Sequence, residues 1–104
     1  MSLSGRGAVI TGGGRGIGRA VARALAERGA SVVVSARTTA EINGVAKELT
    51  TAGFEAHAIA CDVADEASVR TMAEEAVERL GTVDILVNNA GIALSNPVKR
   101  LPLR

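Results

Sequence analysis

At 104 residues the chain has room for one domain, whose folding buries about 60 to 65% of the unfolded surface, and no room for a second. It is 47% hydrophobic and 22% charged with a net charge of +1, which is globular; twelve basic and eleven acidic residues interleave, and Phe54 is the single aromatic, so neither the field of a DNA binder nor a base-stacking platform is present. The lone cysteine, Cys61, excludes an internal disulfide, and neither a signal-peptide-like N-terminus nor an apolar run of membrane-spanning length is seen, so a cytoplasmic protein without nucleic-acid or membrane partners is expected.

The hydrophobic pattern alternates strand and helix from the start, as in α/β proteins with a parallel sheet. Gly7–Thr11 (GAVIT) is predicted as a buried strand that ends at glycines. A helix follows, with Ile17, Ala20, Val21, Ala24 and Leu25 as its apolar face, Arg19, Arg23 and Glu27 toward water, and Gly29 as its stop. The β-branched run Ser31–Ala36 (SVVVSA) is the second strand. The second helix carries the stripe Ile42, Val45, Ala46 and Leu49, with Thr38 and Glu41 spaced as a capping box and Gly53 at its end. Residues 55–60 (EAHAIA) form the third strand. Asp65 is placed to cap a third helix with the face Val69, Met72, Ala73, Ala76, Val77 and Leu80, closed by Gly81. Residues 84–88 (DILVN) are apolar enough for a fourth strand covered on both faces. After Asn88 the pattern fails. Residues 1–91 are therefore read as one half domain and residues 92–104 as a loop or frayed tail.

Right-handed crossovers put these strands in the order 3-2-1-4, an incomplete doubly wound sheet. Ligands of such sheets bind beyond the carboxyl ends of the strands at the switch point, here between strands 1 and 4. The turn Thr11-Gly12-Gly13-Gly14-Arg15-Gly16-Ile17-Gly18 and the pair Asn88-Asn89 both fall there. Gly12, Gly16 and Gly18 can accept positive φ and let the backbone approach a bulky anion, and the helix that follows adds about 0.3 to 1 kcal/mol for an anion at its first turn. A purely structural strand-to-helix turn is the competing reading. The phosphate loop of nucleotide hydrolases needs Lys and Ser or Thr after its last glycine, where Arg19 and Ala20 stand. The pattern G-x-G-x-x-G started at Gly12 needs a glycine where Ile17 stands.

What fits is Thr11-Gly12-x-x-x-Gly16-Ile17-Gly18, which resembles the cofactor loop of the short-chain dehydrogenase/reductase family. Asp62-Val63 after the third strand and Asn88-Asn89-Ala90-Gly91 after the fourth match that family's further motifs in order and spacing. The resemblance implies a Rossmann-like fold and a nicotinamide dinucleotide cofactor. It implies that Gly12, Arg15 and Ile17 line the pyrophosphate and nicotinamide side, with Gly14, Gly16 and Gly18 in the same cofactor-binding turn, that Asp62 and Val63 hold the adenine, and that Asn89, Ala90 and Gly91 line the ribose and the floor of the site. Asn88 would tie neighbouring strands together. A helix cap is the other reading of Asp62, and a simple turn that of Asn88-Asn89.

Cofactor choice in such folds is read at the end of the second strand, where an acid binds the ribose hydroxyls and repels a 2′-phosphate. This chain has Ser35-Ala36-Arg37 there, and the Arg37 guanidinium suits a phosphate, so NADP(H) is expected over NAD(H). A solvated charge before a helix is the bland reading of Arg37. His57 lacks a nearby carboxylate or nucleophile and, like Cys61, is read as structural.

The family's chemistry is implied to rest on Ser, Tyr and Lys, the last two as Tyr-x-x-x-Lys. The chain has no tyrosine, and Ser95 and Lys99 come too early to stand in, so no catalytic residue is assigned. The chain reads as an N-terminal portion whose parent transfers hydride between cofactor and a ketone or secondary alcohol, with the 3-oxoacyl-carrier-protein reductase branch as the nearest phrase match. By itself it is expected to be inactive, and the bare edge of the fourth strand to favour self-association. A non-catalytic nucleotide-binding or interaction module is the alternative.

Overall fold

The computed structural model describes residues 2–89. Their elements run β1 (Gly7–Thr11), α1 (Gly16–Glu27), β2 (Ser31–Ala36), α2 (Thr39–Thr51), β3 (Ala56–Ala60), α3 (Glu66–Leu80) and β4 (Ile85–Asn88). All pairings are parallel and the sheet order is β3-β2-β1-β4, as the sequence predicts. Each strand begins where its neighbour permits. Glu55 precedes β3 but still gives its carbonyl to Val32, and Asp84 precedes β4 while its N–H bonds the Gly7 carbonyl.

Alternation along the central strands divides the core in two, because successive side chains point to opposite faces. Ala8, Ile10, Val32 and Val34 pack under α1 and α2, against Ala22, Ala26, Ile42, Val45 and Leu49. Val9 and Val33 face the other way and meet Ile59, Cys61, Met72 and Ala76 under α3. Each fully buried Ile, Leu or Val contributes about 1.5–3 kcal/mol, so the β1–β2 pair, buried on both faces, carries much of the stabilisation among the described residues.

The buried face of α1 is not the predicted one. It is Gly18, Ala22 and Ala26, one side chain per turn, with Val21 and Leu25 on its flank, while Ile17 and Ala20 are exposed. Apolar spacing weights all hydrophobic residues alike, whereas the turn after β1 draws α1 so close to the sheet that only the smallest residues fit beneath it. The capping box of α2 is also absent. Thr38 occupies the N-cap without a side-chain hydrogen bond, and Glu41 turns toward the glycine turn instead. α1 and α2 end alike, with Ala30 N–H on the Leu25 carbonyl and Gly29 N–H on Ala26, then Phe54 on Leu49 and Gly53 on Thr50, the Schellman arrangement.

Asp65 caps α3 as expected, its Oδ1 accepting from Ala67 N–H at 3.0 Å. The predicted α3 stripe is too wide: Ala73 and Val77 are exposed, and only Met72 and Ala76 are fully buried. α3 lies over β2 and β3, so among the described residues no helix covers the same face of β4, and Leu86 is 40% exposed, against the expectation of a strand covered on both sides. His57 does have a carboxylate partner, Glu55, with Oε2 3.2 Å from Nε2; two residues apart in extended chain put both side chains on one face of the sheet. Among the described residues no helix is long and apolar enough to cross a membrane.

Candidate functional site

The glycine turn is welded to the end of β2. The Ser35 carbonyl accepts from Gly12 N–H at 2.7 Å and from Gly13 N–H at 3.2 Å, so the turn starts beside Ser35-Ala36-Arg37. Gly12 (φ 68°) and Gly16 (φ 62°) occupy the left-handed region, which costs any residue with a Cβ. The other glycines serve close approach. A Cβ on Gly13 would meet Val34 Cβ at 2.9 Å, and one on Gly18 would land on the Gly12 carbonyl oxygen. Gly16 differs, because nothing lies within 4 Å of where its Cβ would point. That open side adjoins the first turn of α1, which has no side-chain cap and no acidic residue, so its orphan N–H groups and the positive end of its dipole are available to an anion. The turn therefore offers an anion an open approach and a favourable dipole.

On its far side the turn is held by β4. The Thr11 hydroxyl donates to Asn88 Oδ1 at 2.9 Å and accepts from Asn89 N–H at 3.1 Å, and Asn89 Nδ2 donates to the Gly12 carbonyl at 3.3 Å. Asn88 thus ties β4 to β1, while Asn89 braces the turn itself. Thr11 and Gly13 are the two positions that sequence reasoning did not count among the site residues. A threonine closing an otherwise apolar strand was the signal for the first; the second of three consecutive glycines gave none.

Around the rim, Arg37 is exposed directly after β2 and has no ion-pair partner among the described residues. Arg15 is 84% exposed, its Nη1 3.7 Å from Glu41 Oε2. Ile17 is 73% exposed, a large aliphatic side chain left in water at the mouth of the turn. Asp62 follows β3 and Cys61. Its Oδ1 accepts from Ala64 N–H at 3.0 Å and its own N–H donates to Ser68 Oγ, which fixes the carboxylate, and Val63 beside it is exposed. Glycine turn, Arg37, Asp62 and Asn89 thus lie at the carboxyl ends of four adjacent strands. Ala90 and Gly91, and the tail expected over 92–104, lie outside the described residues. Among the described residues no cluster of His, Cys, Asp or Glu is arranged to hold a metal.

Sheet order and turn define a Rossmann-like α/β protein. The family model for short chain dehydrogenases matches residues 6–104, and the chain belongs to the short-chain dehydrogenase/reductase family, whose members are nicotinamide-dependent oxidoreductases. It is 40% identical over 97 residues to the 3-oxoacyl-[acyl-carrier-protein] reductase FabG of Staphylococcus aureus, covering 92% of this chain and 39% of that protein. A metagenomic short-chain oxidoreductase solved in complex with NADP superposes with a TM-score of 0.82 at 43% identity, over 88% of this chain and 42% of the other. A 7α-hydroxysteroid dehydrogenase complexed with NADH and 7-oxo glycochenodeoxycholic acid gives a TM-score of 0.82 at 44% identity, over 84% of this chain and 34% of the other. The chain spans well under half the length of each of these proteins.

Proposed function

We propose that the chain is the NADP(H)-binding portion of an oxidoreductase that moves hydride between the nicotinamide and a ketone or secondary alcohol. The observation that carries the cofactor choice is Arg37: an unpaired guanidinium stands at the end of β2, beside the glycine turn, where a reader of NAD(H) needs an acid. When bound, the dinucleotide supplies the hydride acceptor or donor; this chain's residues hold it. The N–H groups of the α1 first turn, with Gly16 leaving room and Gly12, Gly14 and Gly18 shaping the turn, receive the pyrophosphate, and Arg15 and Arg37 receive the 2′-phosphate. Ile17 packs toward the nicotinamide side. Asp62 Oδ2, free of the bond that Oδ1 makes to Ala64, accepts from the adenine amine, and Val63 lies against the ring. Asn89, Ala90 and Gly91 complete the ribose side and the floor.

Isothermal titration of NADP+ and NAD+ into wild type and Arg37→Ala tests this reading. A charged hydrogen bond to phosphate is worth about 1.5–3 kcal/mol, so Arg37→Ala should weaken NADP+ roughly tenfold to a hundredfold and leave NAD+ nearly unchanged. Equal affinity of the wild type for the two cofactors would refute it. The 104-residue chain, lacking tyrosine, is proposed to bind without turnover, and its location to be the cytoplasm, where the buried thiol of Cys61 stays reduced. Homologues act on acyl-carrier-protein and steroid substrates, and a 3-oxoacyl reductase-like parent is the proposal that the FabG likeness supports. Exposed Leu86 on β4 supports self-association, read as a concentration-dependent elution volume.

A further inference from the structure

Glu41 stands on the α2 side of the glycine turn and is not among the expected site residues. It occupies the third position of α2, where a glutamate commonly reaches back to the N-cap N–H. Here it lies against the turn: a Cβ on Gly14 would be 2.8 Å from Glu41 Cβ and 3.0 Å from its Oε1, while Oε2 lies 3.7 Å from Arg15 Nη1. One carboxylate thus touches both the wall of the proposed pyrophosphate cradle and one of the two cations proposed for the 2′-phosphate. The partners are unequally held. The Glu41 side chain is 36% exposed and that of Arg15 84%, so the arginine is the freer of the two.

We infer that Glu41 is a specificity-determining residue of this site, holding Arg15 across the turn in competition with the 2′-phosphate and so limiting the preference for NADP(H) over NAD(H). The inference rests on the NADP(H) reading above. A 2′-phosphate arriving between Arg15 and Arg37 exchanges one anion for another at Arg15 and comes close to the Glu41 carboxylate. NAD(H), with a neutral ribose hydroxyl at that place, requires no such exchange. Glu41 therefore acts on one cofactor and not the other, which separates this role from that of an acidic residue merely complementing the dipole of α2.

The test is calorimetric titration of NADP+ and NAD+ into wild type, Glu41→Gln, Arg15→Gln and the double variant, with far-UV circular dichroism checking the fold of each. Glu41→Ala is the second variant, in case the glutamine keeps a hydrogen bond to Arg15. Exposed ion pairs are worth at most about 1 kcal/mol, so removing the carboxylate should tighten NADP+ about two- to fivefold while NAD+ stays constant. In the Arg15→Gln background the gain should disappear, and in wild type it should shrink with added salt. An unchanged NADP+ to NAD+ ratio in both Glu41 variants overturns the assignment, as does a gain of full size without Arg15. Failure of the underlying reading looks different: wild type then binds the two cofactors equally, or binds neither, and Arg37→Ala changes nothing, which removes the assignment with it.

Discussion

Asn89 and Gly12, 77 residues apart, are joined by a hydrogen bond of 3.3 Å from the asparagine amide to the glycine carbonyl. The same carbonyl is the atom that a Cβ on Gly18 would strike. One backbone oxygen is thus fixed from the β4 side and packed from the α1 side, and the turn has little freedom left to adjust.

Thr11 is the hinge of that bracing. Thr11→Val keeps the shape but leaves Asn88 Oδ1 and Asn89 N–H without the hydroxyl that serves both. Unsatisfied, partly buried groups cost about 1–3 kcal/mol, and urea denaturation should show a midpoint lowered accordingly with an unchanged slope.

Two glycine-to-alanine changes should have opposite signs. Gly18→Ala drives a methyl group into the Gly12 carbonyl and should destabilise by about 1–3 kcal/mol while weakening dinucleotide binding. Gly44→Ala, in the interior of α2 with nothing within 4 Å of the new methyl, should stabilise by about 0.5–1 kcal/mol. Thermal melts of the pair, run side by side, check both signs.

Ser35 is 1% exposed, and its hydroxyl is the buried side-chain polar atom that lacks a hydrogen-bond partner among the described residues. Ser35→Ala removes a desolvated, unpaired group and should be neutral or stabilising by up to about 1 kcal/mol. A loss of stability in denaturant titration would show that the hydroxyl is satisfied in solution.

The Ser31 hydroxyl, 2.8 Å from Glu55 Oε1, and then the His57 ring hold the Glu55 carboxyl below the ordinary carboxylate range. A lowered folded-state pKa stabilises the protein above the unfolded-state value, and that contribution is lost as the pH falls through the folded-state value. Ser31→Ala should therefore lower stability at neutral pH, and the gap from wild type should close as the pH drops below about 4. Because Glu55 is exposed, screening keeps the gap small. Melting temperatures of the two proteins across that range provide the comparison.

Most element ends were legible because they depend on local signals, β-branched runs such as Ser31–Ala36, glycines at 29, 53 and 81, and Asp65 before α3, and the strand order followed from the handedness of the crossovers. The face of α1 was not, because close packing against a turn selects for smallness rather than hydrophobicity, and Gly18 is invisible to an apolar count. Leu86 was misjudged for the converse reason: an apolar residue reports that it can be covered, whereas coverage depends on where α3 lies. At the site, the positions of Arg37, Asp62 and Asn89 followed from their places after strands. The contact of Glu41 with Gly14 and Arg15 did not, since it joins the first turn of one helix to the loop before another.

The span between Gly12 and Asn89 also orders events in time. β1 can pair with β2 once a short crossover has formed, but the Asn89 brace requires closing a loop several times longer, and each doubling of loop length costs about 0.6 kcal/mol of chain entropy. During synthesis from the N-terminus, the glycine turn emerges before residue 89 and lacks the Asn89 brace until that residue has cleared the ribosome. The glycine turn is thus made before the residue that braces it from the β4 side.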